Sequence, residues 1–104
     1  MQNILWWIDG LIWSAYNIGM KIEQLILASL VKREDYARKV LAFIVPEYFS
    51  EITERTLYDM VARYFHKYNA CPAASALRVE ADALGVNQNE HETIVGLIDA
   101  IDSV

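Results

Sequence analysis

Two histidines and one cysteine are the residues of this 104-residue chain best suited to metal binding or nucleophilic catalysis. His91 stands between two glutamates at 90–92, and all three side chains are metal-ligand types. On a helix, however, consecutive side chains point in different directions and cannot share one ion. Cys71 follows His66 by five residues, but no third group is placed to orient that histidine. We therefore expect no metal site, and a structural role for Cys71 as a small apolar residue.

The sequence gives no indication of nucleotide binding. The phosphate-binding loop GxxxxGK[ST] and the dinucleotide fingerprint GxGxxG are both absent from the chain. Carboxylates near the C-terminus, such as Asp99 and Asp102, could act as an acid–base pair only if two were buried together, and helix ends explain them more simply. We predict that this chain is not an enzyme, with no catalytic, cofactor-binding or metal-binding residues and no cofactor.

The net charge of −5 argues against tight nucleic-acid binding, which requires a positive field. One predicted helix does interleave cations with aromatic residues that could stack on bases: Arg55, Tyr58, Arg63 and Lys67. Three acidic residues interrupt that series: Glu51, Glu54 and Asp59. We therefore expect the apolar side of this helix to face the core and its outer side to carry charges of both signs.

Charge is unevenly distributed along the chain. Residues 32–39 carry four basic and two acidic side chains. From Arg78 to the C-terminus the sequence contains one basic and six acidic residues. These flanks are either solvated surface or complementary contacts between copies of the domain. The single cysteine, which cannot form an internal disulfide, fits a reducing compartment.

Hydrophobic periodicity predicts an all-α fold, a compact bundle of about six helices with short loops. No stretch shows the period-two alternation of a half-buried strand. The predicted helices cover residues 4–16, 20–31, 36–45, 51–69, 71–85 and 89–101.

The same periodicity predicts which side chains face the core. The expected inner residues of the second to sixth helices are Ile22, Leu25, Ile26, Ser29, Leu30, Tyr36, Val40, Phe43, Ile44, Leu57, Val61, Tyr64, Phe65, Tyr68, Leu77, Ala81, Leu84, Ile94, Leu97, Ile98 and Ile101. The expected helix-capping and terminating residues are Asp35, Pro46, Ser50, Asn69, Gly85 and Asn89, with Pro72 in a first turn.

The first nineteen residues are unusually apolar, with all three tryptophans of the chain and one charge, Asp9. A helix that is apolar on nearly every side must be buried in protein or lipid. The segment is slightly short for a membrane span and lacks a basic flank at its start, so a membrane is unlikely to be its environment. We predict partner-binding residues here: Trp6, Trp7, Ile8, Leu11, Ile12 and Trp13.

From Met20 onward the sequence resembles the N-terminal head domain of DnaB-type replicative helicases, and most of all the short version in T-even-like phages. Three stretches carry the resemblance. They are "IEQLILASLVKREDYARKVLAFIVPEYF" at 22–49, "TLYDMVARYFHKYNACPAASAL" at 56–77 and "NEHETIVGLIDAI" at 89–101. They match in hydrophobic pattern and in punctuating residues, and contain no catalytic motif.

The resemblance implies a non-catalytic protein-interaction and oligomerisation domain. In that family the head forms the collar of a hexameric ring and docks primase or a helicase loader, while a separate domain carries the ATPase motor. It also implies cytoplasmic localisation, in a bacterial or phage-infected bacterial cell. The expected partners are other copies of the chain, primase or a loader.

The start of the resemblance divides the chain into two predicted parts. Residues 1–19 are expected to be a hydrophobic N-terminal helix, either an extension or a fused partner peptide, and residues 20–104 the head domain. Two alternatives remain open at this point. One is a stand-alone helical regulator that mimics the collar, and the other is a membrane-tethered adaptor held by residues 4–18.

Overall fold

A computed structural model of the protein describes residues 22–103, and these residues are helical with no β-strand among them. The five helices are α1 (Ile22–Lys32), α2 (Glu34–Val40), α3 (Ile52–Tyr68), α4 (Ala74–Ala83) and α5 (Gln88–Asp102), with a 3-10 turn at Pro46–Tyr48. This confirms the all-α prediction. The first of the six predicted helices, at residues 4–16, lies outside the described residues.

Helix α5 holds the bundle together, because it packs against α4, α3 and α1. Its predicted inner face is confirmed, as are Leu57 and Val61 on α3 and Leu77 and Ala81 on α4. Ser29 on α1 is also buried, and its hydroxyl donates to the Leu25 carbonyl at 2.9 Å, which satisfies the polar group inside the core.

Three predicted core residues are instead exposed: Ile22, Phe43 and Tyr68. Ile22 is the first residue of α1 and Tyr68 the last of α3, and the ring of Tyr68 packs on that of Tyr64, with centroids 4.5 Å apart, instead of entering the core. Phe43 does not lie on the inner face of α2, because this helix ends at Val40, five residues earlier than predicted. Beyond Val40 the chain tightens into a turn in which the Phe43 amide donates to the Val40 carbonyl at 2.9 Å.

Helix termini follow the predicted residues at two positions. Asn69 ends α3 with φ +52°, and Gly85 follows α4 with φ +71°. Both lie in the left-handed region, where asparagine and glycine are tolerated best.

The predicted N-terminal caps are wrong at three helices. Asp35 lies inside the first turn of α2 and pairs with Arg33, 3.1 Å away. Ser50 donates its hydroxyl to Glu23 on α1 at 3.1 Å and leaves the cap of α3 to Glu51. The cap of α5 is Asn87, two residues before the predicted Asn89.

The cap at α5 has the expected chemistry at a shifted position. The Asn87 side chain accepts a hydrogen bond from the Glu90 amide at 2.9 Å. Pro72 is likewise shifted, since it is buried just ahead of α4 rather than within its first turn.

Candidate functional site

The residues first considered for catalysis make structural contacts. His91 on α5 places Nε2 2.6 Å from an Asp82 carboxylate oxygen and so joins the end of α4 to the start of α5. The Cys71 thiol donates to the Leu30 carbonyl at 3.1 Å, and burial raises its pKa, which disfavours the reactive thiolate. His66 is exposed on α3. Residues 22–103 contain no group of three or more side chains that could hold a metal ion.

Two basic side chains contact the last turn of α5, one from within the acidic flank and one from the basic flank. Arg78 on α4 lies 2.6 Å from the Asp99 carboxylate and 3.9 Å from that of Asp102 on α5. The Lys32 ammonium, at the end of α1, donates to the Asp102 carbonyl at 2.8 Å. These contacts join α4 and α1 to the last turn of α5.

The aromatic and basic residues of α3 serve mainly to fix a neighbouring loop. The Tyr58 hydroxyl donates to the Ile44 carbonyl at 2.8 Å, and its ring lies 5.2 Å from the Phe49 ring. Arg55 donates to the Phe49 carbonyl at 2.8 Å. Further along the helix, Arg63 pairs with Asp59 at 3.5 Å. This arrangement favours the structural interpretation of the helix over nucleic-acid binding.

The fixed loop and the first residue of α3 expose four large apolar side chains, here called the apolar ridge: Phe43, Val45, Tyr48 and Ile52. Phe43 and Ile52 are each 76% exposed, and Tyr48 is 65% exposed. Phe49, in the same loop, is buried and anchors it. Scattered exposed apolar residues are normal, but a group of this size within residues 43–52 is typical of an interaction surface.

A groove, here called the α3–α5 groove, runs beside the ridge between the first turns of α3 and the exposed side of α5. It consists of two adjoining depressions of about 240 and 130 Å³ that share Thr53. The larger is lined by Gln24, Glu51, Thr53, Glu54, Thr93, Gly96, Leu97 and Ala100. The smaller is lined by Ile52, Thr53, Thr56, Val86, Glu90 and Ile94.

Two features of the larger depression bear on what it could bind. Glu54 lines it and is 1% exposed, so a carboxylate lies at its inner wall. Gly96 leaves open space, since among the described residues no atom apart from the neighbouring backbone of α5 lies within 4 Å of the position that a Cβ would occupy. The larger depression is thus lined by both apolar and polar residues, with a buried carboxylate among them.

The predicted partner-binding residues all lie outside the described residues: Trp6, Trp7, Ile8, Leu11, Ile12 and Trp13. Both surfaces described above were missed in the sequence. The sequence predicts Phe43 in the core, whereas the structure exposes it. The available signal was Pro46, which shows that the chain leaves the helical path in this region.

Comparison with protein-family models, curated proteins and solved structures finds no match to the chain. The resemblance to helicase head domains therefore stays a prediction. Among the described residues, no helix is both long enough and apolar enough to cross a membrane.

Proposed function

We propose that this chain is a non-catalytic protein-interaction domain that binds its partner through the apolar ridge. The observation that carries the proposal is the exposure of Phe43, Val45 and Tyr48 on a loop that is itself firmly held, together with Ile52 at the start of α3. A fixed backbone presents these side chains in one arrangement, so little conformational entropy is lost when a partner covers them. Large apolar and aromatic side chains contribute most of the energy of typical interfaces.

The resemblance supplies the proposed biological setting. A head domain of a DnaB-type helicase assembles with other copies into a collar and docks primase or a helicase loader. The all-helical bundle and the acidic net charge suit a collar that does not need to hold DNA tightly. The proposed partners are therefore other copies of the chain, together with primase or the loader.

The ridge itself can be tested with matched variants of the full chain. Phe43→Ser and Ile52→Ser remove ridge side chains, whereas Val79→Ser changes an equally exposed valine (68%) on α4, away from the ridge. Binding would be measured by calorimetry with purified primase and purified helicase loader of a T-even-like phage.

We expect each ridge variant to weaken binding at least about tenfold, because truncating an interface anchor commonly costs more than about 1 kcal/mol. Val79→Ser should bind like the unaltered chain. The proposal is wrong if neither protein binds, or if the ridge variants bind as tightly as the Val79 variant. Sizing chromatography with light scattering over a range of concentrations tests self-association with the same three variants.

A further inference from the structure

At Gly96 the α3–α5 groove has open space that no described side chain fills. Gly96 lies in the middle of α5, where glycine destabilises a helix relative to alanine. The core does not require this glycine, because the buried side chains of α5 are Ile94, Leu97, Ile98 and Ile101. A glycine facing open space instead permits the backbone of another element to come close.

We propose that residues 4–18 of the same chain pack as a helix into the α3–α5 groove. The segment is apolar on nearly every side and requires a surface that removes it from water. Its tryptophans need apolar contact for the ring and an acceptor for the indole N–H. The groove offers both, because Leu97 and Ala100 line it together with the oxygen-bearing side chains of Glu51, Thr53 and Thr93.

The point at which the segment joins the bundle favours this occupant over a separate molecule. Residues 1–21 lead directly into α1, and Gln24 in the first turn of α1 lines the groove. Residues 19–21 can span roughly 10 Å when extended, which matches the usual distance of about 8–10 Å between packed helices. A turn beginning at Gly19 can therefore bring the segment beside its own bundle.

Length supports the same pairing. A helix formed by residues 4–18 would be roughly 22 Å long, at about 1.5 Å per residue. Helix α5 has 15 residues and the helix predicted at residues 4–16 has 13, so the two can lie side by side over most of the length of α5.

Tryptophan fluorescence of the full chain tests the proposal, because all three tryptophans lie at positions 6, 7 and 13. Gly96→Leu places a side chain in the open space of the groove. Ala83→Leu, on an exposed residue at the end of α4 that does not line the groove, is the matched control. Emission wavelength and quenching by acrylamide would be compared for the three proteins.

We expect shielded emission and weak quenching in the unaltered chain and in Ala83→Leu. Gly96→Leu should shift the emission towards that of tryptophan in water and increase the quenching constant several-fold, with an unchanged circular dichroism spectrum. Solvent-like emission in the unaltered chain overturns the proposal, as does a Gly96→Leu protein that is folded and quenched no more than the control.

A second measurement covers the case in which Gly96→Leu fails to fold. Cysteine is introduced by Gly96→Cys together with either Trp6→Cys or Trp13→Cys, in a Cys71→Ala background. Mild oxidation should give an intrachain disulfide in a monomer for at least one pair. A disulfide-linked dimer would show docking onto a second copy, and no bond in either pair would show no docking; each result overturns the proposal.

Discussion

Truncation of Leu57 to alanine tests whether the bundle core is arranged as described. Leu57 lies in α3 and is 0% exposed. The substitution removes three buried carbon groups, each worth about 0.8 kcal/mol, so lost burial alone costs about 2.4 kcal/mol. The cavity left behind adds to this, and we expect a total loss of about 3–4 kcal/mol in the free energy of unfolding.

A loss of that size is large for a domain whose stability is expected to be about 5–15 kcal/mol. The midpoint of thermal unfolding should fall by more than about 10 °C. The same helix supplies a control in Ile52→Ala, since Ile52 is 76% exposed and its truncation should change stability by no more than about 0.5 kcal/mol.

Urea unfolding followed by far-ultraviolet circular dichroism measures both variants. The midpoint for Leu57→Ala should fall with little change in the slope of free energy against urea. A cost below about 1 kcal/mol for Leu57→Ala, or equal costs for the two variants, would refute the assigned core. Ile52→Ala would also supply a stable protein for the partner-binding measurements.

Three further predictions concern helix ends and titratable groups. Asn87→Ala should cost about 1 kcal/mol by loss of the α5 cap, whereas Asn89→Ala should be nearly neutral in the same urea assay. Asn69→Ala should cost about 1 kcal/mol because its backbone is left-handed, and replacement by glycine at that position should cost much less. Burial raises the pKa of Tyr58 and of Cys71, so the unfolded chain releases these protons at lower pH than the folded chain does. Stability should therefore fall as pH rises above about 9–10, less steeply in a Tyr58→Phe variant, as measured by urea unfolding from neutral to alkaline pH.

The long helices could be predicted from the sequence because their signals are local. The inner face of α5 repeats apolar residues from Ile94 to Ile101, over about two turns, and no competing pattern exists in that stretch. The stop signals at Asn69 and Gly85 were equally clear, since few other residues adopt the left-handed conformation. The cap of α5 was less certain, because Asn87 and Asn89 have the same capping chemistry and lie two residues apart.

The loop between α2 and α3 could not be predicted, because contacts from a later part of the chain determine it. Phe43 and Phe49 are the same residue type, yet one is exposed and the other is buried. Hydrogen bonds from Tyr58 and Arg55 on α3 to the backbone of this loop fix its path. Those hydrogen bonds come from residues outside 41–50, so the sequence of the loop alone could not predict the apolar ridge.

The apolar ridge and the α3–α5 groove meet at the first turn of α3, since Ile52 belongs to the ridge and also lines the smaller depression. A partner that covers Ile52 would therefore border the proposed position of residues 4–18. Two ligands that share a boundary change each other's affinity by the same factor, because linkage between binding sites is reciprocal. If the segment occupies the groove and competes with a partner there, displacing it through Gly96→Leu should tighten partner binding, and partner binding should in turn expose the tryptophans. Coupling of the opposite sign would mean that the docked segment forms part of the surface that the partner contacts.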